Sequence, residues 1–266
     1  MPTPGNHPIY FGSIALERNR WAKLKTPTYR VSEWLKRVQS DGFDGIELWE
    51  NHIRLAPEEE VAKLCGSGAV RIYNSYVSFG SGEEDAALRL EAAEWIHRLQ
   101  PKAVKVNVGA DPSETAAYRE RLLEWADRSP TSCRIWLECH PGTVLEEPEA
   151  AADMLERLDA DRFAAMVHPF HCHGELSRWL ELLGGRVVHA HVQLRDEEGR
   201  FIRLSRSGSY VRQQLELMQS CGYNGSFTIE FTEGVRENED PEAIYRAARD
   251  DMAMLRTELA EPGSEG

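Results

Sequence analysis

The chain has 266 residues, 41% of them hydrophobic, enough for one sizeable core and in keeping with a single domain. Its net charge of −13 makes a surface that repels phosphate backbones, which argues against a nucleic-acid partner. No apolar run approaches the roughly 18–20 residues of a membrane-spanning helix, and the five cysteines, Cys65, Cys133, Cys139, Cys172 and Cys221, are scattered without a CxxC pair, as reduced thiols of a cytoplasmic protein are.

The N-terminus lacks the basic and apolar regions of a signal peptide. "PIYFGSI" (8–14) reads as a first strand, and "VSEWLKRVQSDG" (31–42) as a helix with Val31, Trp34, Leu35 and Val38 on one face, stopped by Gly42. "FDGIELW" (43–49) is strand-like. "PEEEVAKLCGSG" (57–68) opens on proline and acids and ends on glycine, as a helix should. A strand at 69–76 and a helix at 84–98 follow, then a strand at 103–109 and a helix at 111–127. The same alternation gives strands at 133–140, 163–168, 186–193 and 225–231, with helices at 147–158, 174–185, 210–222 and 240–259. Strict alternation predicts a parallel sheet, and eight repeats predict closure into a single-domain α/β (β/α)8 TIM barrel over 1–260, with 261–266 a disordered tail. An open doubly wound sheet is disfavoured, because no glycine-rich phosphate loop follows the first strand.

Side chains alternate along a strand, so each strand divides into two faces. Val104, Val106 and Val108 oppose Lys105 and Asn107; Ile135 and Leu137 oppose Trp136 and Glu138. Val188, Ala190 and Val192 oppose His189, His191 and Gln193; Phe227, Ile229 and Phe231 oppose Thr228 and Glu230; Ile46 and Leu48 oppose Glu47 and Trp49. The apolar faces must meet the helices, which sends the charged faces into the barrel, near the carboxyl ends where barrel active sites form. Buried carboxylates and imidazoles are costly unless paired or bound to a cation. Several strands share this departure from an apolar interior, which points to a divalent metal site.

These residues stand in motifs that resemble the xylose-isomerase-like barrels grouped as sugar phosphate isomerases/epimerases. The matching pieces are "GFDGIELW" at the second strand, "LECHPGT" at the fifth, "VHPFH" at the sixth, "HAHVQLRD" at the seventh and "GYNGSFTIEF" at the eighth. The resemblance spans nearly the whole chain and is specific for the superfamily but not for the substrate. It implies one divalent metal held by Glu138, His168, His189 and Glu230, with His171, His191 and Glu47 near the substrate. His168 stands where the family has aspartate. A set of two carboxylates and two imidazoles is nominally neutral with a divalent ion and shifts preference from Mg toward Mn, Fe, Co, Ni or Zn. The resemblance also implies a small-molecule carbohydrate partner, and its common dimers and tetramers leave a homo-oligomer open.

Simpler readings stand beside these. Trp49 and Trp136 either wall a sugar ring or fill the barrel, with the wall preferred. His140 either caps its loop or reaches substrate. His7, His52 and His97 read as ordinary surface or partly buried histidines. Lys105 and Asn107 are taken as substrate-binding, Lys105 electrostatically and not as a Schiff base. Arg195, Arg200, Arg203 and Arg206 form a basic cluster in an acidic chain. Solvated charge is the default there, and Arg195 is the candidate substrate contact in a phosphate or carboxylate clamp.

The expected function is a metal-dependent isomerase or epimerase of a keto-sugar or related polyol. Glu138 and Glu230 would be its catalytic pair, moving a proton through an enediolate. A lyase or dehydratase using the same enolate is the alternative. An apurinic-site endonuclease is disfavoured by the charge, and a binding protein without catalysis is the remaining reading.

Overall fold

A computed structural model describes residues 7–170 and 175–260. Eight strands close in sequence order into a wholly parallel barrel. They are β1 (Ile9–Gly12), β2 (Ile46–Trp49), β3 (Val70–Asn74), β4 (Ala103–Val106), β5 (Arg134–Glu138), β6 (Phe163–Val167), β7 (Val187–Val192) and β8 (Ser226–Ile229). The helices among the described residues are α1 (Ser32–Ser40), α2 (Asn51–Arg54), α3 (Glu58–Ser67), α4 (Glu83–Leu99), α5 (Thr115–Ala126), α6 (Pro148–Glu156), α7 (Leu176–Leu183), α8 (Gly208–Ser220) and α9 (Pro241–Ala260). None is long and apolar enough to cross a membrane.

The local signals act as expected in α3. Glu58, Glu59 and Glu60 fill its first turn, and Gly68 closes it in the left-handed conformation at φ 62°. Two elements differ from expectation. The first strand stops at Gly12 and turns into a short 3-10 helix, Ser13–Leu16. The short helix α2 follows β2 directly, and it buries His52 between Ser13 Oγ (3.0 Å) and Glu17 Oε2 (3.1 Å). His52 is therefore an internal strut, not a surface or partly buried histidine.

The main core lies between barrel and helices and takes Val104, Val106, Ile135, Leu137, Phe227 and Ile229 from the strands. A separate floor inside the barrel is built from Tyr10, Ile72, Ala103, Trp136, Ala164 and Met166. The small Ala103 and Ala164 belong to the same floor layer as the large Trp136, as a filled interior requires. Trp136 thus fills the barrel and does not wall the site. Val188 also differs from its expected face. The β6–β7 register shifts so that Ala165 pairs with Val187 but Met166 with His189. The extra residue turns Val188 against the floor, while Ala190 and Val192 keep the helix-facing side.

Closure at the β1–β8 seam depends on Gly12. A Cβ there would lie 2.9 Å from the Ile229 carbonyl oxygen and 3.3 Å from Glu230 Cα. At the mouth, buried Asp251 of α9 ties two loops together. Its carboxylate accepts from Leu204 N (2.9 Å) and Thr232 Oγ1 (2.5 Å).

Two outcomes follow from these contacts. Gly12→Ala must push back the β8 backbone, and we expect a loss of about 1–3 kcal/mol in denaturant unfolding. Burial raises the Asp251 carboxyl to about 7 from an ordinary 3.8. Between about pH 4 and pH 7 the folded protein keeps a proton that the unfolded chain has lost, so this group's contribution to stability falls as pH rises. Asp251→Asn should flatten the wild-type decline, read as denaturation midpoints across that window; parallel curves would refute the assignment.

Candidate active site

The barrel interior above the floor is polar in two tiers. Alternation aims Glu47, Lys105, Glu138, His189, His191 and Thr228 inward, and His168 and Glu230 continue their strands by one residue beyond the sheet. All are buried.

In the upper tier, Glu138 Oε1 lies 3.0 Å from His168 Nε2 and 3.7 Å from His191 Nδ1. His191 Nδ1 stands 3.3 Å from Glu230 Oε2. The other Glu138 oxygen, Oε2, takes the Lys105 ammonium at 2.6 Å and the Asn107 amide at 2.7 Å. Lys105 also donates to Asn107 Oδ1 at 3.0 Å. In the lower tier, Glu47 accepts from His191 Nε2 at 2.9 Å and from Asn74 Nδ2 at 2.6 Å. His189 stacks on Trp136 with centroids 4.7 Å apart. Its nitrogens meet Ser226 Oγ at 2.8 Å and Thr228 Oγ1 at 3.0 Å, with Glu47 Oε2 at 3.5 Å.

The electrostatics follow from these neighbours. Burial alone would raise the Glu138 carboxyl, but the Lys105 ammonium and the hydrogen bond from His168 hold it well below the ordinary range. Burial opposes charge on His191 too, yet Glu47 and Glu230 together hold it well above an ordinary histidine. Glu47 is held low against its burial, chiefly by His191. Burial drives His189 down to about 4, so its ring is neutral at pH 7.

Among the described residues, two groups of side chains converge closely enough to hold an ion: Glu138, His168 and His191, and separately Glu47, His189 and His191. The first fits a metal better. Ligand atoms at 2.0–2.2 Å from an ion lie about 3–3.5 Å from one another, and the upper tier's 3.0, 3.3 and 3.7 Å separations bracket that spacing. His191 Nδ1 and Glu230 Oε2 face each other there, buried and each without a hydrogen bond. In the second group the nitrogens of His189 are already engaged by hydroxyls.

The residues marked in the sequence are thus brought together in part. Glu138 and His168 meet at His191, Glu230 adjoins His191 Nδ1, and Lys105 and Asn107 sit on Glu138. His189 sits a tier below, and His191, expected near the substrate, turns its Nδ1 toward Glu138 and Glu230 instead. Trp49 is only 1% exposed, with its ring edge-on to His52 at 5.1 Å and its backbone N–H donating to Ser13 Oγ, so it offers no open wall. His140 packs edge-on to His168 at 5.8 Å. Arg195 is half-buried at the mouth over the Phe201 ring. His171 lies outside the described residues, as does the 261–266 tail.

Two residues, Asn74 and Tyr76, escaped the sequence reading, and Gln193, aimed inward by it, was given no role. Gln193 Nε2 meets His168 Nδ1 at 2.9 Å. Asn74 braces Glu47. The Tyr76 ring lies under Lys105 Nζ at 4.5 Å and Lys25 Nζ at 5.0 Å. Alternation continued past β3, from Ile72 through Asn74 to Tyr76, was the available signal.

No curated protein sequence matches the chain. Solved structures match at low identity and show the fold. The IolI protein with a bound zinc atom has a TM-score of 0.69 and 13% identity, over 96% of this chain and 100% of that one. The probable 3-DHS dehydratase AsbF, involved in petrobactin synthesis in Bacillus anthracis, has a TM-score of 0.70 and 13% identity, over 93% and 98%. A xylose isomerase-like TIM barrel protein from Mycobacterium smegmatis in complex with magnesium has a TM-score of 0.62 and 16% identity, over 96% and 98%. The family model described as xylose isomerase-like TIM barrel matches residues 35–258, most of the chain, and the protein belongs to that family.

Proposed function

We propose that this protein is a metal-dependent isomerase or epimerase of a keto-sugar or related polyol, moving a carbon-bound proton beside the substrate carbonyl. The observation that carries this reading is the convergence of Glu138, His168 and His191, with Glu230 Oε2 3.3 Å from His191 Nδ1 and neither of those two buried atoms hydrogen-bonded. Those four side chains would hold the ion, His191 taking the place assigned to His189. Their mixed nitrogen and oxygen donors favour Mn, Fe, Co or Zn over Mg. Zinc and magnesium in two proteins of the same fold agree with a divalent ion.

When bound, the ion supplies Lewis acidity to a carbonyl and its neighbouring hydroxyl, which acidifies the C–H between them. The chain's own residues do the rest. Glu230, touching the ion through Oε2, would take the proton through its other oxygen. Glu138 is the opposing carboxylate. Lys105 against its Oε2 keeps it charged and offers an N–H for proton return. Glu47 accepts the His191 Nε2–H and so turns Nδ1 toward the ligands. Gln193 does the same for His168: with its amide turned over, the unpartnered Oε1 accepts from Nδ1–H and leaves Nε2 a lone pair. Lys105, Asn107, Tyr76 and Arg195 remain to bind substrate.

Elemental analysis should find about one transition metal ion per chain. His191→Ala should abolish uptake, whereas His189→Ala should retain it; the reverse pattern would restore His189 as the ligand, and a metal-free wild type indifferent to added Mn or EDTA would sink the reading. Glu230→Gln should keep the ion while turnover falls by roughly 10²–10⁴-fold. Wild-type turnover in heavy water should place deuterium beside the carbonyl. Full turnover in Glu230→Gln removes the acid–base assignment, and a product lighter by one water assigns a lyase instead.

A further inference from the structure

The loops after β7 and β8 carry five arginines: Arg195, Arg200, Arg203, Arg206 and Arg236. Three are already neutralised. Arg200 pairs with Asp196 (2.7 Å) and Glu198 (2.9 Å), Arg203 with Glu233 (3.2 Å) and Asp250 (2.8 Å), and Arg206 with Glu233 (3.1 Å). The cavity of about 290 Å³ that they line therefore offers an anion no free cation. Arg195 and Arg236 have no carboxylate within ion-pair distance among the described residues.

Both guanidinium groups lie on aromatic rings, Arg195 at 4.4 Å from the Phe201 centroid and Arg236 at 4.0 Å from that of Trp21. Phe231, the residue after Glu230, joins those rings, 5.0 Å from Phe201 and 5.7 Å from Trp21. A continuous aromatic strip thus runs from beside the candidate base to the rim, where Trp21 is 46% exposed. A guanidinium seated over a ring face keeps N–H donors available to a ligand. Arg195 Nε is buried without a hydrogen bond. Arg195 shares the inward parity of His191 and Gln193, and its charge is felt by both Arg236 and Glu230.

The backbone at Arg236 is left-handed, at φ 68°, which is unfavourable for a non-glycine residue. Its N–H is held by Glu239 Oε1 at 2.8 Å. Glu239 is itself clamped by buried Arg20 at 2.8 and 3.0 Å, and Arg20 is anchored on the carbonyls of Ile14 and Ala15. A strained turn is thus braced from the 3-10 helix after β1, and it places Arg236 within electrostatic reach of Arg195. An oxyanion between them relieves the repulsion and fills the open donors.

We propose that Arg195 and Arg236 form a subsite for an oxyanion group of the substrate, a carboxylate or phosphate, so that the molecule acted on is an acid and not a neutral polyol. This deepens, and rests on, the reading of the site as one for a polyol-like substrate. Three small probes test it by calorimetry: glycerate, glycerol 3-phosphate and glycerol. At least one of the two anions should bind where glycerol does not, and the tighter anion identifies the group. Arg195→Gln and Arg236→Gln should each weaken that binding by about tenfold or more while metal content and melting temperature stay at wild-type values. Anions bound no better than glycerol, or bound undiminished by both variants, would overturn the subsite. Metal uptake is read separately, so a wild type that takes up no ion refutes the isomerase reading while the probes still decide the subsite.

Discussion

Everything at the mouth of this barrel is arranged around one buried imidazole. His191 gives Nε2 to Glu47 below and turns Nδ1 toward Glu138 and Glu230 above. Three buried carboxylates within reach of one ring would repel one another, and burial would penalise each. A cation among them offsets both costs, whether a proton on His191 or a metal ion in the upper tier. Lys105 supplies a second fixed cation on the far side of Glu138. The interior is thus a balanced set of charges, in which removing one partner exposes the others.

That set stands on apolar support. Trp136, Met166 and Tyr10 close the barrel below it, and His189 covers Trp136 as the transition from floor to polar tier. His189 is neutral and held by two hydroxyls, which suits a spacer. At the seam, Gly12 lets the β8 backbone close against β1 just where Glu230 emerges. Asp251 and Arg20 then fix the loops after β7 and β8 from behind, through Leu204, Thr232 and Glu239. Functional loops braced in this way present side chains on a rigid rim.

The acidic surface and the cationic rim also belong together. In a chain of net charge −13, Arg195 and Arg236, without an ion-paired carboxylate among the described residues, would concentrate attraction for an anion at the mouth.

Much of this was legible in the chain itself. Alternating strand and helix signals are local, and eight of them in order imply the barrel. The period of two is also local, so Glu47, Lys105, Glu138, His191 and Glu230 could be aimed inward from sequence. Depth was not legible. His189 and His191 share a face but stand about 6.6 Å apart along the strand, and which of them meets Glu138 depends on how β7 registers against β6, including the shift that turns Val188 inward. Trp136 looked like a wall for the same reason, one layer too low. The Arg195–Arg236 pair and its aromatic strip unite Trp21 with residues some two hundred positions later. Sequence determined which residues face the barrel axis wherever the strand runs without a register shift, because facing is set by neighbours along the strand. Tertiary structure alone decided which of them meet, because level and proximity are set by strand register and loop bracing between distant segments.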